Sequence, residues 1–327
     1  MMSRTAASAM SAPALAPPGE GAPAAADSPD LREAYEQCRR ITRANARNFY
    51  FGLRLTPEPK RSSLYAIYSW MRQADDLVDD GRGGEAALAD FRERTSRVFR
   101  GAWRPHRDPN HAQEVHDRHS MWFAFADTVS RFRLRETEFR EMIEGQLADL
   151  HGAKYRTLDD LINYCRHVAS TVGLVCIAVW GFDGSERARR LAEWRGIAFQ
   201  LTNILRDYAD DYDSGRVYLP ADDFARLGVT PSELRHWSSP EPCIEFMRFQ
   251  IKRAAEYYDR SAPLDALVHE DGRAALAAMT RIYRRLLDLI AVAPRRAATG
   301  TARIRVATSR KIMIGLTAAW AKRRNGS

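Results

Sequence analysis

From Leu31 onward, apolar residues recur at spacings of three and four almost without interruption, the period of helices that bury one face. Leu64, Ile67, Tyr68 and Met71 mark such a face between Lys60 and Asp80, and Gly81, Gly83 and Gly84 close the run. Thr56-Pro57-Glu58 reads as its start signal: a hydroxyl cap, proline at the first helical position, then an acid in the first turn. The same reading predicts helices over about 119–131, 136–150, 185–211, 242–258, 272–292 and 308–324. Ser185 caps one of them, and Thr230-Pro231-Ser232-Glu233 is a capping box that opens a further short helix. Residues 158–179 are apolar nearly all round, so this helix belongs in the interior. No stretch alternates like a strand for long enough to compete, and no repeat recurs at a fixed period. The expectation is a single all-α domain over 29–327.

Residues 1–28 are rich in Ala, Pro, Gly and Ser with few large apolar side chains, so they are expected to form a disordered tail. They lack the apolar centre of a secretory signal, and no run resembles the ~18 apolar residues of a membrane span, which reads as a cytoplasmic protein. Cys38, Cys165, Cys176 and Cys243 are scattered and read as reduced, buried thiols. His111, His116 and His119 lack metal-ligand spacing and read as surface residues. Lys and Arg total 50 against 42 acidic residues, a formal charge of +8 that fits an anionic partner. No helix-turn-helix or basic recognition stripe supports nucleic acid. The basic tail helix, with Ile312, Ile314, Leu316, Ala319 and Trp320, reads as a peripheral membrane contact.

Two acidic clusters change the picture more. Asp75-Asp76-Leu77-Val78-Asp79-Asp80 and Asp207-Tyr208-Ala209-Asp210-Asp211 each place carboxylates four residues apart near the end of an apolar helix. Asp75 then shares a face with Asp79, and Asp207 with Asp211. Like charges at that spacing repel, and the negative end of the helix dipole adds to the penalty. A bound cation removes both costs. Asn203, one turn before Asp207, adds an amide oxygen, and an all-oxygen set suits Mg²⁺ or Mn²⁺ with a phosphorylated substrate. A calcium EF-hand fails at Asp210–Gly215, because Tyr212 takes a ligand position and no glutamate closes the loop. Arg72, Arg206 and Arg216 flank the acids, where a diphosphate needs positive charge.

Several motifs resemble the squalene/phytoene synthase family. They are Arg47-Asn48-Phe49-Tyr50 with Leu55-Thr56-Pro57, Tyr65-Ala66-Ile67-Tyr68 leading to the first acidic cluster, Tyr164-Cys165 with residues 168–173, and residues 200–207 continuing through 215–220. The likeness covers about residues 35–312, in family order. It implies the isoprenoid-synthase helical bundle with a central cavity, and magnesium-dependent head-to-head joining of two prenyl diphosphates. By that resemblance Asp75, Asp79, Asn203, Asp207 and Asp211 hold magnesium. Arg47, Asn48, Phe49, Gln200, Arg206, Arg216, Tyr218 and Tyr283 bind substrate, and Tyr68, Tyr164 and Arg72 are catalytic. A carbocation needs a dry, aromatic-lined site, and Phe49, Tyr50, Phe51, Tyr65, Tyr68, Tyr164 and Tyr283 are candidates for that lining. Ser170, where many relatives carry glycine, and the Ala46–Phe49 sequence lean toward farnesyl diphosphate as substrate and presqualene diphosphate or squalene as product, the latter requiring NADPH. The alternative is phytoene from geranylgeranyl diphosphate, or a related C30 carotenoid precursor from farnesyl diphosphate. A head-to-tail prenyltransferase or terpene cyclase fits the second motif less well.

Overall fold

In a computed structural model the structure describes residues 28–79, 84–103 and 113–325. The expected tail before Ser28, together with Asp80, Gly81, Gly83 and His111, lies outside the described residues, as do the side chains of His116, His119, Ala319 and Trp320. The chain forms α1 (Pro29–Asn45), α2 (Arg47–Leu53), α3 (Lys60–Asp79), α4 (Gly84–Phe99), α5 (Gln113–Arg131), α6 (Glu136–Leu150), α7 (Leu158–Cys165) and α8 (Thr171–Trp180). It continues through α9 (Glu186–Asp213), α10 (Ala221–Arg226), α11 (Pro231–His236), α12 (Pro240–Ser261), α13 (Leu264–Leu267), α14 (Glu270–Val292), α15 (Pro294–Thr299) and α16 (Thr308–Asn325). Among the described residues the only β-type pairing is an isolated bridge between Phe182 and Val268. The all-α expectation holds.

Local chemistry accounts for most helix ends. Ser28 accepts from the Leu31 amide to cap α1, and Ser185 accepts from the Ala188 amide to cap α9. Thr230 and Glu233 form the expected reciprocal box at α11. The predicted start at Thr56 is a turn instead. Thr56 is buried, and its hydroxyl accepts from the Trp180 indole at 3.0 Å rather than capping. Glu58 takes over that task, its carboxylate accepting from the Ser62 amide at 3.1 Å, and the helix begins at Lys60.

The run 158–180 is helical throughout but not uniform. Residues Arg166–Ser170 form a π-helical turn between α7 and α8, an insertion that apolar periodicity does not register. With 23 residues, Leu158–Trp180 is long and apolar enough to span a membrane, contrary to the sequence expectation. Its burial against α6 and α9 explains the composition as that of a core helix.

The helices surround a central space walled by α2, α3, α8, α9 and α14. Trp70 of α3 anchors one side, stacked on Phe125 and edge-on to Phe139 at 5.0 Å, with its indole donating to Thr95 at 3.1 Å. On the other side α12 packs along α9, where the Arg195 guanidinium donates to the Ser261 hydroxyl at 2.8 Å and pairs with Asp265 at 3.3 Å. Helices α8 and α9 approach closely because their contact residues lack side chains: a Cβ on Gly173 would lie 2.8 Å from the Ala192 carbonyl oxygen. All four cysteines are buried and free, as expected.

Candidate active site

Helices α3 and α9 carry the two acidic clusters in their last turns. Between the helices lies an apolar cavity of about 260 Å³, with Asp75, Tyr68, Gln200 and Asn203 among its lining residues. Leu64 and Ala192 mark its far end on the same two helices. Eleven residues separate Leu64 from Asp75, and eleven separate Ala192 from Asn203, so both walls run about 16 Å at the helical rise. A polar pocket of about 250 Å³ adjoins it, lined by Gln146, Asp149, Tyr164 and Arg216 and sharing Met71, Asp75, Val168 and Gln200 with the cavity. A greasy channel thus opens at a charged mouth.

At that mouth Asp75 accepts a hydrogen bond from the Gln146 side chain at 2.6 Å. Asp207 accepts from Arg206 and from Arg303, each at 2.8 Å. Arg72 pairs with Asp76, a neighbour that its spacing from Asp75 did not single out. The Asp79 and Arg47 side chains lie outside the described residues. Tyr68 is half-buried, and burial together with Asp75 pushes its phenol up to about 12, so it stays protonated.

The aromatic candidates divide. Phe49 lines the cavity with Phe199, and Tyr283 stacks on Phe199 at 4.5 Å while meeting Phe49 edge-on at 5.5 Å. Burial raises the Tyr283 phenol, and Asn203 and Asn48 beside it counter part of that shift. Tyr50, Phe51 and Tyr65 do not join this lining. They face an outer groove on the far side of α2, where Tyr50 stacks on Tyr65 at 5.7 Å. Phe49 and Leu53, one turn apart, claim the inward face of α2 and leave the intervening residues outside.

Tyr164 and Tyr218 meet at an acid that the sequence reading missed. Asp149 accepts from the Tyr164 hydroxyl at 2.8 Å and from the Tyr218 hydroxyl at 3.0 Å, and the two rings stack 5.0 Å apart. Burial, then the Asp149 charge, raises both phenols. The signal was present, since Asp149 sits in the last turn of α6 as the other acids do in theirs. Arg303, also missed, lies in an irregular segment with no pattern to mark it.

The site suits a divalent cation. The Asn203 side-chain oxygen is buried without a hydrogen-bond partner, although its amide nitrogen bonds Gln200 at 3.3 Å. Burial and the nearby Asp207 raise the Asp211 carboxyl to about 7, more than the Arg216 charge offsets. Among the described residues no three acidic, His or Cys side chains converge as a ready-made metal cluster. Magnesium tolerates that arrangement, since it draws much of its shell from water and substrate phosphates.

A squalene/phytoene synthase family model matches residues 42–311. The chain belongs to this family. Squalene/phytoene synthases similar to it include the 15-cis-phytoene synthase of Synechococcus elongatus, 36% identical over 80% of this chain and 84% of that one. The phytoene synthase of Mycobacterium bovis is also 36% identical, over 81% of this chain and 84% of that one. Among solved structures, a dehydrosqualene synthase superposes with a TM-score of 0.77 at 27% identity, covering 90% of this chain and 98% of that one. Squalene synthase HpnC from Alicyclobacillus acidocaldarius gives 0.72 at 26% identity, covering 83% and 96%. The fold is the isoprenoid-synthase bundle, and the enzyme is a prenyltransferase of the phytoene/squalene synthase type.

The metal-free site should cost stability. Asp211 has an ordinary pKa of 3.8 when unfolded and about 7 when folded, so the folded state holds the proton more tightly. Stability from this group is full below the lower value and is lost as pH rises through the higher one. Asp211→Asn in metal-free protein should therefore raise Tm by about 2–4 °C at pH 8. The gain should vanish near pH 4. A scan showing equal shifts at both pH values would sink this account.

Proposed function

We propose that this protein joins two molecules of geranylgeranyl diphosphate head to head to make phytoene. The observation that carries the reading is its similarity to phytoene synthases: 36% identity to the Synechococcus elongatus enzyme across 80% of this chain. This reverses the lean toward farnesyl diphosphate, which rested on residues 46–49 and Ser170. Ser170 has a structural use here, its hydroxyl donating to the Glu193 carbonyl at 2.9 Å, and so says little about the substrate.

In this reading the prenyl chains lie in the apolar cavity and the diphosphates at its mouth. Asp75, Asp79, Asn203, Asp207 and Asp211 would hold magnesium, which would neutralise diphosphate oxygens and assist departure of the leaving group. Arg72, Arg206, Arg216 and Arg303 supply the remaining positive charge. One allylic C–O bond breaks to release diphosphate, and the resulting C1 cation bonds to the 2,3-double bond of the second substrate. Loss of a proton closes a cyclopropylcarbinyl diphosphate. A second C–O cleavage releases the other diphosphate, the ring opens, and proton loss gives phytoene. Phe49 and Phe199 exclude water and present their rings to the cation, with Tyr283 packed against both. Tyr164 and Tyr218, oriented by Asp149, offer oxygens near the polar pocket for proton handling. No reductant is consumed, so NADPH has no part in this reading.

The second reading is presqualene diphosphate or squalene from farnesyl diphosphate, favoured by the similarity to the squalene synthase HpnC structure. Purified protein with Mg²⁺ and each substrate in turn, with and without NADPH, should form phytoene from the longer substrate and need no NADPH. Presqualene alcohol after phosphatase treatment, or squalene with NADPH, from farnesyl diphosphate alone would replace this assignment with the second.

A further inference from the structure

The outer face of α2 borders a second, larger space. A groove of about 830 Å³ lies between the ends of α1 and α2, the start of α3 and the segment leading into α16. Arg39, Arg43, Arg54, Arg61, Arg305 and Lys311 line it, against a single carboxylate, Glu58. Arg39 pairs with Glu36 and Arg61 with Glu58. Arg43, Arg54 and Arg305 are exposed. The floor is aromatic, and the Lys311 ammonium lies 5.6 Å from the centre of the Phe51 ring.

An apolar surface continues from this groove. Among the described residues four large hydrophobic side chains are strongly exposed, and three of them lie on the first turns of α16: Ile312 at 50%, Met313 at 44% and Leu316 at 66%. They follow Lys311 directly along the helix that forms one rim. Residues 301–327 carry seven Lys and Arg and no acid. Basic side chains of one sign beside unsatisfied apolar ones form a pattern that complements a bilayer with anionic headgroups. A soluble anion would use the cations and leave Ile312, Met313 and Leu316 in water.

We infer that the Arg43–Arg54–Arg305 groove and the exposed face of α16 dock this protein on an anionic phospholipid surface. Arginines engage headgroup phosphates, and Ile312, Met313 and Leu316 enter the boundary of the acyl chains. The inference stands on charge and exposure, whatever the substrate. It also places the bilayer against α2, a helix of seven residues whose other face lines the apolar cavity.

Co-sedimentation of the full chain with phosphatidylglycerol/phosphatidylcholine vesicles tests this, with pure phosphatidylcholine as comparison. Binding to the anionic vesicles should exceed binding to neutral ones by at least about tenfold and weaken as KCl rises from about 50 to about 500 mM. The triple variant Arg43→Glu, Arg54→Glu, Arg305→Glu should lose that preference. The pair Ile312→Ser, Leu316→Asp should weaken binding while retaining the salt response. Circular dichroism and Tm matching the parent protein show that a loss belongs to the surface. Equal binding to both vesicle types, or undiminished binding by both folded variants, overturns the inference. So does full displacement by millimolar tripolyphosphate at constant ionic strength, which would mark a site for a soluble anion.

Discussion

Asp207→Asn is expected to lower kcat/KM by about 10³-fold or more, without comparable loss of the fold. Asp207 accepts from Arg206 and Arg303 on two separate segments. An amide keeps the shape but cannot balance a cation or two guanidinium groups, and one of its two heads presents N–H where an acceptor is needed. The fold has more to rely on. Arg303 is exposed, so water can solvate it once unpaired, whereas Arg206 is largely buried and keeps part of the cost, so a loss of about 2–3 kcal/mol is expected. Steady-state kinetics across a Mg²⁺ titration, read beside Tm, separates the two effects. Activity within tenfold of the parent at saturating Mg²⁺ would remove Asp207 from the metal set.

Gly196→Ala should be among the most damaging single methyl groups that can be added to this chain. A Cβ there would lie 2.5 Å from the Ala169 carbonyl oxygen and 2.7 Å from the Ser170 Cα, both main-chain atoms of the π-helical turn. Backbone cannot rotate aside as a side chain can, so the π-helical turn and α9 must separate. Their separation would disturb Ala169, Val172 and Gly173, which line the cavity. A loss of about 3 kcal/mol or more is expected, with a matching fall in Tm or failure to fold. Gly315→Ala is the control. Nothing lies within 4 Å of its Cβ position and it sits inside α16, so alanine should be neutral or stabilise by up to about 1 kcal/mol. Chemical denaturation of both variants gives the comparison, and similar stabilities would refute the close-packing account.

The features legible in the sequence are those whose cause is local. Carboxylates four apart on an apolar helix carry a repulsion that can be recognised without knowing the fold, and Asp75 and Asp207 were found that way. Caps such as Ser185 and Thr230 satisfy amides within three residues, so their partners can be named from the chain alone. The missed features depend on distant segments. Thr56 looked like a cap until Trp180, more than a hundred residues on, claimed its hydroxyl. Tyr50 and Phe51 are as aromatic as Phe49, and only the position of α2 as a wall decides which ring faces the cavity. Arg303 gains significance from Asp207, 96 residues away. The π-helical turn leaves no trace in apolar spacing, since its effect is to bring main chain against the glycines of a neighbouring helix.

The Arg206–Asp207–Arg303 arrangement bears on how a turnover cycle ends. A pocket that has just held two diphosphates and their metals would, once emptied, face a burst of unbalanced charge that slows departure. Asp207 already holds two guanidinium groups, and under the proposed function these would pass from the leaving anion back to the waiting carboxylate. On that proposal release would be an ion exchange inside the protein, with the ion-paired resting state as the exchanger in its regenerated form.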